Sequence, residues 1–291
     1  MLWKRLAARF DELRLRPWPV KTGEAFGEFW SLLFPTECVV CEQPDSSLCT
    51  DCTETFRRMT VRPFRAEESA DGLPASEVSG SRPRADGSDF VPLPVIASGR
   101  YAKSLAAVLL AYKNHGHTDL VRWLQAALAG ALHEANASLC VHAADVVLVP
   151  VPGKGASFRR RGYDPLALLL GGLARRRELP AGAVVVPAVR HARTPAASAI
   201  FDIAKSGQKG LGRRGRRSNV AWSMEPAPAY QRVLRGRACL IVDDVLTTGS
   251  TIAETARVLR GLDATVAGAV VIAATPAPRG RRERETEDPT G

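Results

Sequence analysis

Ten consecutive residues carry the densest chemistry in the chain: Val242-Asp243-Asp244-Val245-Leu246-Thr247-Thr248-Gly249-Ser250-Thr251. Two adjacent carboxylates are followed by four hydroxyl side chains around one glycine. Small residues let backbone N–H groups converge on an anion, and the hydroxyls of Thr247, Thr248, Ser250 and Thr251 add donors. A helix beginning just beyond would contribute the positive end of its dipole. Gly249 permits a backbone shape that a larger residue resists. Asp243 and Asp244 would repel a phosphate if they faced it, so they suit ribose hydroxyls or a magnesium ion. The ordered string points to a phosphorylated sugar. A strand ending in an acidic turn with ordinary Ser/Thr capping is the plain alternative.

The elements around this string are of the kind that position such a loop. Ala238–Val242 is apolar and partly β-branched and predicts a buried strand. Ser250–Arg260 predicts a helix, with Ile252, Ala256 and Leu259 on one face and Gly261 as its stop. Upstream, the pattern predicts helices over Leu105–Tyr112, Leu120–Leu132 and Pro165–Arg177. It predicts strands over Asp145–Val151, Val184–Val189 and Val266–Ala273. Strands alternating with helices imply an α/β fold, a mostly parallel sheet flanked by helices. Ligands in such sheets bind beyond the carboxyl ends of the strands, where the Thr/Ser loop falls.

A second cluster is cysteine-based. Cys38-x-x-Cys41 and Cys49-x-x-Cys52 place four of the six cysteines in fifteen positions. Two such knuckles in a reducing compartment suit one tetrahedral metal site, structural Zn2+ above all, with an iron–sulfur centre or a site that has lost its metal as the alternatives. Four protein ligands leave no open position for catalysis. The module could staple a small region or dock a partner. Cys140 and Cys239 sit among apolar residues and read as core.

The string Ile241–Thr251 resembles the signature of type I phosphoribosyltransferases. The resemblance implies that Asp243 and Asp244 contact the ribose hydroxyls of phosphoribosyl pyrophosphate. It also implies that Val245, Leu246 and Thr247 to Thr251 form the segment holding the 5′-phosphate, with Mg2+ on the pyrophosphate. Further segments are similar to the ComF family: Val149-Pro150-Val151-Pro152, Arg159-Arg160-Arg161-Gly162-Tyr163, Tyr112-Lys113-Asn114-His115-Gly116, and the cysteine module ahead of the transferase-like domain. The likeness covers about residues 35–275. It implies candidate pyrophosphate contacts at Lys154, Gly155, Lys113 and Arg161, and an association with DNA uptake in natural competence. Two features depart from the family pattern. Asp164-Pro165 stands where the family has Asn-Gln, and residues 194–207 form an enlarged segment before Gln208.

Composition sets the bounds. The 291 residues, 45% of them hydrophobic, suffice for one sizeable domain and a small one. The expected organisation is a helical lead-in over 1–34, a zinc-ribbon-like four-cysteine module over 35–64 and a flexible linker over 65–92. A phosphoribosyltransferase-like domain over 93–275 and a disordered tail over 276–291 follow. No apolar run is long enough to span a membrane, and no signal peptide is evident, so a cytoplasmic location is expected. The net charge of +10 favours anionic partners. Lys205, Lys209, Arg213, Arg214, Arg216 and Arg217 could close over a pyrophosphate, grip a nucleic-acid backbone, or simply be solvated. Two functions from different classes follow. One is a phosphoribosyltransferase acting on a nitrogen acceptor. The other is a non-catalytic protein handling single-stranded DNA alongside competence proteins.

Overall fold

The computed structural model describes residues 37–77, 90–114, 116–141, 143, 145–153, 162–192 and 223–276. The chain divides into two compact units, Met1–Cys49 and Thr50–Gly291. The expected lead-in over 1–34 and the tail beyond 276 lie outside the described residues.

The larger unit is built on a six-stranded sheet. In chain order its strands are β1 (Phe64–Arg65), β2 (Val95–Arg100), β3 (Val146–Pro150), β4 (Ala183–Val185), β7 (Ala238–Leu246) and β8 (Thr265–Ala274). They lie side by side as β1-β2-β8-β7-β3-β4. Every neighbouring pair is parallel except β1 with β2. The central strand β8 has no charged residue, and all but its first residue is buried. A strand buried on both faces needs a cover on each, which forces helices onto both sides of the sheet. On one face lies α6 (Ser250–Arg260), whose Ile252, Ala256 and Leu259 join Ala269 and Val271 of β8 in one core cluster. On the other lies α3 (Val121–Leu139). Its Leu139 comes so close to Gly268 of β8 that a Cβ there would stand 2.6 Å from Leu139 Cδ1. Among the described residues the unit also has α1 (Thr50–Thr60), α2 (Lys103–Asn114) and α4 (Pro165–Arg176), with a short turn α5 (Gln231–Leu234).

Several expectations need correction. The strand expected over Val184–Val189 is two strands. β4 stays on the sheet edge beside β3, while β5 (Val189–His191) leaves to pair antiparallel with β6 (Met224–Pro226). Pro187 stands between them and has no N–H to give a ladder. This β5–β6 ribbon docks on α6. Buried Glu254 accepts hydrogen bonds from Met224 N (3.1 Å) and from Arg257, and Arg257 Nη2 also donates to Met224 O (3.0 Å).

The stretch expected as a linker, 65–92, is structured wherever it is described. β1 pairs with β2, and Ala66, Ala70 and Leu73 are buried in the core. Ser76 N donates to Val91 O at 2.7 Å, and Ala75 bridges Pro92. A few small apolar residues and backbone pairing suffice to fix a segment whose composition is polar. The main domain also begins earlier than 93. Helix α1 belongs to the same unit as the sheet, with Phe56 buried and the Met59 carbonyl lying against Gly99 of β2.

Candidate functional site

The carboxyl ends of the parallel strands open into a cleft of about 480 Å³. Asp243, Asp244, Val245, Thr247 and Thr251 line it, with Lys113 from α2, Tyr101 beyond β2, Val151–Gly153 beyond β3, and Asp164–Leu166 at the start of α4. The two acids are not beyond the strand, as expected, but within it. β7 runs on to Leu246 because β8 continues alongside, pairing Asp243 with Val271 and Val245 with Ala273. Leu246 is 1% exposed and packs in the core, so its side chain is not a ligand contact. Its carbonyl accepts from Thr275 N and Oγ1.

Electrostatics separate the two acids. Asp244 forms an ion pair with Lys113. Asp243 is pushed up to about 7, first by burial and second by the Asp244 charge. The Asp244 backbone N–H, which donates to Asp243 Oδ1 at 2.8 Å, and the Lys113 ammonium act in the opposite direction. Among the described residues the site thus brings together two carboxyl groups and the Lys113 ammonium in a partly dry cleft, a donor set of hard oxygens suited to hydroxyls and to magnesium.

The loop behind the acids has the form the sequence suggests. Gly249 is the N-cap of α6 at φ +79°, a left-handed conformation that a side chain resists, and it provides no side-chain cap. A Ser/Thr cap would have closed the first turn. Here the hydroxyls of Thr248 and Ser250 face each other at 3.0 Å, and Thr251 remains on the cleft. Ser250 N also donates weakly to Thr248 Oγ1 at 3.4 Å, so the first turn of α6 is met by the Thr248 hydroxyl and not by a side chain at the N-cap itself.

The Asp164-Pro165 pair has a local explanation. Asp164 Oδ1 accepts from Leu166 N (2.9 Å) and Ala167 N (3.1 Å), and Pro165 occupies the first turn, where its missing N–H costs nothing. Asp164 also faces the β3 turn: a Cβ on Gly153 would lie 2.9 Å from Asp164 Oδ2. Two tyrosines tie α2 to this corner. Tyr112 Oη donates to Pro165 O at 2.7 Å and Tyr163 Oη donates to Tyr112 O at 2.9 Å. Burial raises the Tyr112 phenol far above its ordinary range, so it stays a donor.

Of the expected pyrophosphate contacts, Lys113 is on the cleft. Lys154, Gly155 and Arg161 lie outside the described residues, as do the basic cluster 205–217 and the enlarged segment 194–207. Sequence reasoning missed Tyr101, Asp164 and Leu166 as lining residues. The signal available for Tyr101 was its place just past a parallel strand, but Ala97-Ser98-Gly99 gave β2 little strand character.

The sulfurs of Cys38, Cys41, Cys49 and Cys52 all lie within 4.8 Å of one another. Zinc held by four thiolates at about 2.3 Å sets its sulfurs about 3.8 Å apart. Cys41 and Cys49 stand at 3.6 Å, so the cluster fits zinc. Burial pushes the Cys38 thiol up, but backbone hydrogen bonds from Cys49, Val40 and Cys41 outweigh it and bring it down to about 6. A thiolate at neutral pH is the form a metal takes. No described helix is long and apolar enough to cross a membrane.

Comparison with known proteins shows one family. The model of the phosphoribosyl transferase domain family matches residues 124–288. Competence protein F of Haemophilus influenzae is 28% identical over 168 residues, 58% of this chain and 67% of that protein. Adenine phosphoribosyltransferase of Mycobacterium marinum is 48% identical over 61 residues, 21% of this chain and 33% of that enzyme. Its namesake in Mycobacterium avium is 53% identical over 45 residues, 16% of this chain and 25% of that enzyme. The chain thus spans a third or less of the length of these two transferases.

Proposed function

Since the chain belongs to the phosphoribosyl transferase domain family, we propose that its cleft binds phosphoribosyl pyrophosphate with magnesium and transfers the phosphoribosyl group to a nitrogen acceptor. One observation carries the reading: Asp243, Asp244, Lys113, Thr247 and Thr251 line a single cleft at the carboxyl ends of parallel strands. Asp243 and Asp244 accept hydrogen bonds from the ribose hydroxyls. The loop Thr247–Thr251 takes the 5′-phosphate through backbone N–H groups and hydroxyls. Lys113, held beside Asp244, faces the pyrophosphate side, to which Lys154, Gly155 and Arg161 are assigned as further contacts.

In the reaction the bond from the anomeric carbon to the pyrophosphate oxygen breaks, and its electron pair leaves with pyrophosphate. A bond forms from the acceptor nitrogen to that carbon, and the nitrogen then gives its proton to water. Magnesium, when bound, neutralises charge on the leaving pyrophosphate. The protein's part is positioning and electrostatic: it fixes the ribose from two sides and holds the Lys113 ammonium on the cleft where negative charge grows.

Thermal stability with and without phosphoribosyl pyrophosphate and magnesium tests this. Ligand at 100 times its dissociation constant adds about 2.7 kcal/mol to the folded state. That gain should vanish in Asp243→Asn/Asp244→Asn, and no gain in the wild type would end the proposal. A second reading, the handling of single-stranded DNA, draws on the name of the Haemophilus relative and on the net charge of +10. It requires DNA binding that falls steeply with salt and survives loss of Asp243.

A further inference from the structure

A strap formed by residues 71–77 crosses behind the Thr/Ser loop. Gly72 N donates to Thr248 O at 2.9 Å and so ties the strap to the loop. The approach is close enough to exclude side chains on both partners. A Cβ on Gly72 would stand 2.5 Å from Thr248 O, and a Cβ on Gly249 would stand 2.9 Å from Leu73 Cδ2 and 3.1 Å from Leu73 N. Leu73 is 5% exposed, so the strap is wedged rather than draped. Its far end is pinned twice. Leu93 N donates to Pro74 O at 2.8 Å, and Arg260, in the last turn of α6, donates to Ala75 O at 2.6 Å and pairs with Glu77 at 2.8 Å. The helix that begins at the loop therefore holds, at its other end, the strap that holds the loop. These strap residues precede the stretch matched by the family model, 124–288.

The consequence follows from peptide geometry. In a planar trans peptide the C=O of one residue and the N–H of the next point in opposite directions. Fixing the Thr248 carbonyl on Gly72 fixes the Thr248–Gly249 peptide, with the Gly249 N–H aimed away from the strap. We propose that Gly72 is a positioning residue for the phosphate loop: its N–H, by holding the Thr248 carbonyl, turns the Gly249 N–H toward the 5′-phosphate of the ligand. The inference rests on the phosphoribose reading above. It assigns part of that site to a segment whose composition gives no hint of it. An N–H aimed before the ligand arrives needs no reorganisation on binding, and only a glycine lets the strap come this close to the Thr248 carbonyl.

Gly72→Ala tests it, with two probes titrated by calorimetry: ribose 5-phosphate, which carries the 5′-phosphate, and magnesium pyrophosphate, which does not. The added methyl drives the Thr248 carbonyl off its bond. The dissociation constant for ribose 5-phosphate should rise at least about tenfold, the weight of one charge-assisted hydrogen bond, while that for magnesium pyrophosphate changes less than about twofold. A general loosening of the fold would weaken both, so the split separates positioning from mere structure. Unchanged affinity for ribose 5-phosphate, or an equal loss for both probes, overturns the proposal. Should Gly72→Ala fail to fold, Arg260→Gln, which unpins the strap without touching the loop, decides in its place. A rise confined to ribose 5-phosphate upholds the proposal, and no change overturns it. If the wild type binds neither probe, the phosphoribose reading itself has failed and the role of Gly72 falls with it.

Discussion

Asp243→Asn should stabilise the free protein while costing it its ligand. The carboxyl of Asp243 is held at about 7 against an ordinary 3.8, by burial first and by the Asp244 charge second. Between those two values the folded chain binds a proton that the unfolded chain has released. Stability therefore falls as pH rises across this window. The contribution is fully present below about pH 4 and is lost once the pH has passed about 7. About three pH units at 1.36 kcal/mol each set an upper bound of about 4 kcal/mol. The cleft is open to water on one side, so the measured loss should be smaller. Asparagine carries no charge to desolvate, yet its Oδ1 can still accept from the Asp244 N–H that Asp243 now engages at 2.8 Å. Urea unfolding of both proteins at half-unit steps from pH 5 to pH 8.5 provides the assay. The difference in unfolding free energy should favour Asp243→Asn increasingly with pH and level off above about pH 7. The same variant should bind phosphoribosyl pyrophosphate more weakly at pH 8. A variant less stable than the wild type at pH 8, or a difference flat in pH, would refute the claim that this carboxylate is strained by its site.

Three further outcomes are expected. Gly249→Val combines a left-handed backbone with a side chain driven into Leu73, so it should cost about 2–5 kcal/mol as well as phosphate binding. Thermal melts read the first effect and calorimetry the second. Cys49→Ser removes one of four clustered sulfurs and should take bound zinc well below one ion per chain by elemental analysis, whereas undiminished zinc would contradict a four-sulfur site. Asp164→Ala deletes the two hydrogen bonds that cap α4 and should lower stability by about 1 kcal/mol in urea. The same substitution leaves the zinc content unchanged.

What could be read in the sequence, and what could not, divides along physical lines. The helices expected over Leu105–Tyr112, Leu120–Leu132 and Pro165–Arg177 and the strands expected over Ala238–Val242 and Val266–Ala273 fall within or beside observed elements, because sustained apolar periodicity or continuous apolar runs mark their cores. The Thr/Ser loop ahead of α6 was legible as a loop because small and hydroxylated residues follow an apolar run and precede a helical pattern. The strap was not. Gly72 contributes a backbone N–H and the absence of a side chain, neither of which composition reveals, and the polar residues around it match a linker as well as a wedge. Asp243 and Asp244 looked like a turn because carboxylates are rare in strands. Only the neighbouring β8, reaching Ala274, gives them a ladder to join. Val184–Val189 looked continuous because Pro187 breaks a ladder without breaking the apolar pattern. Leu246 was grouped with the loop by adjacency in sequence, but strand alternation turns its side chain into the core.

The central claim is that the loop Thr247–Thr251 takes the 5′-phosphate of phosphoribosyl pyrophosphate. Phosphorus NMR of that ligand with magnesium resolves the 5′-phosphate from the pyrophosphate resonances and tests the claim directly. On addition of the wild-type protein the 5′-phosphate resonance should shift and broaden, and Gly249→Val should abolish the change. A perturbation confined to the pyrophosphate resonances, or none at all, would contradict the account.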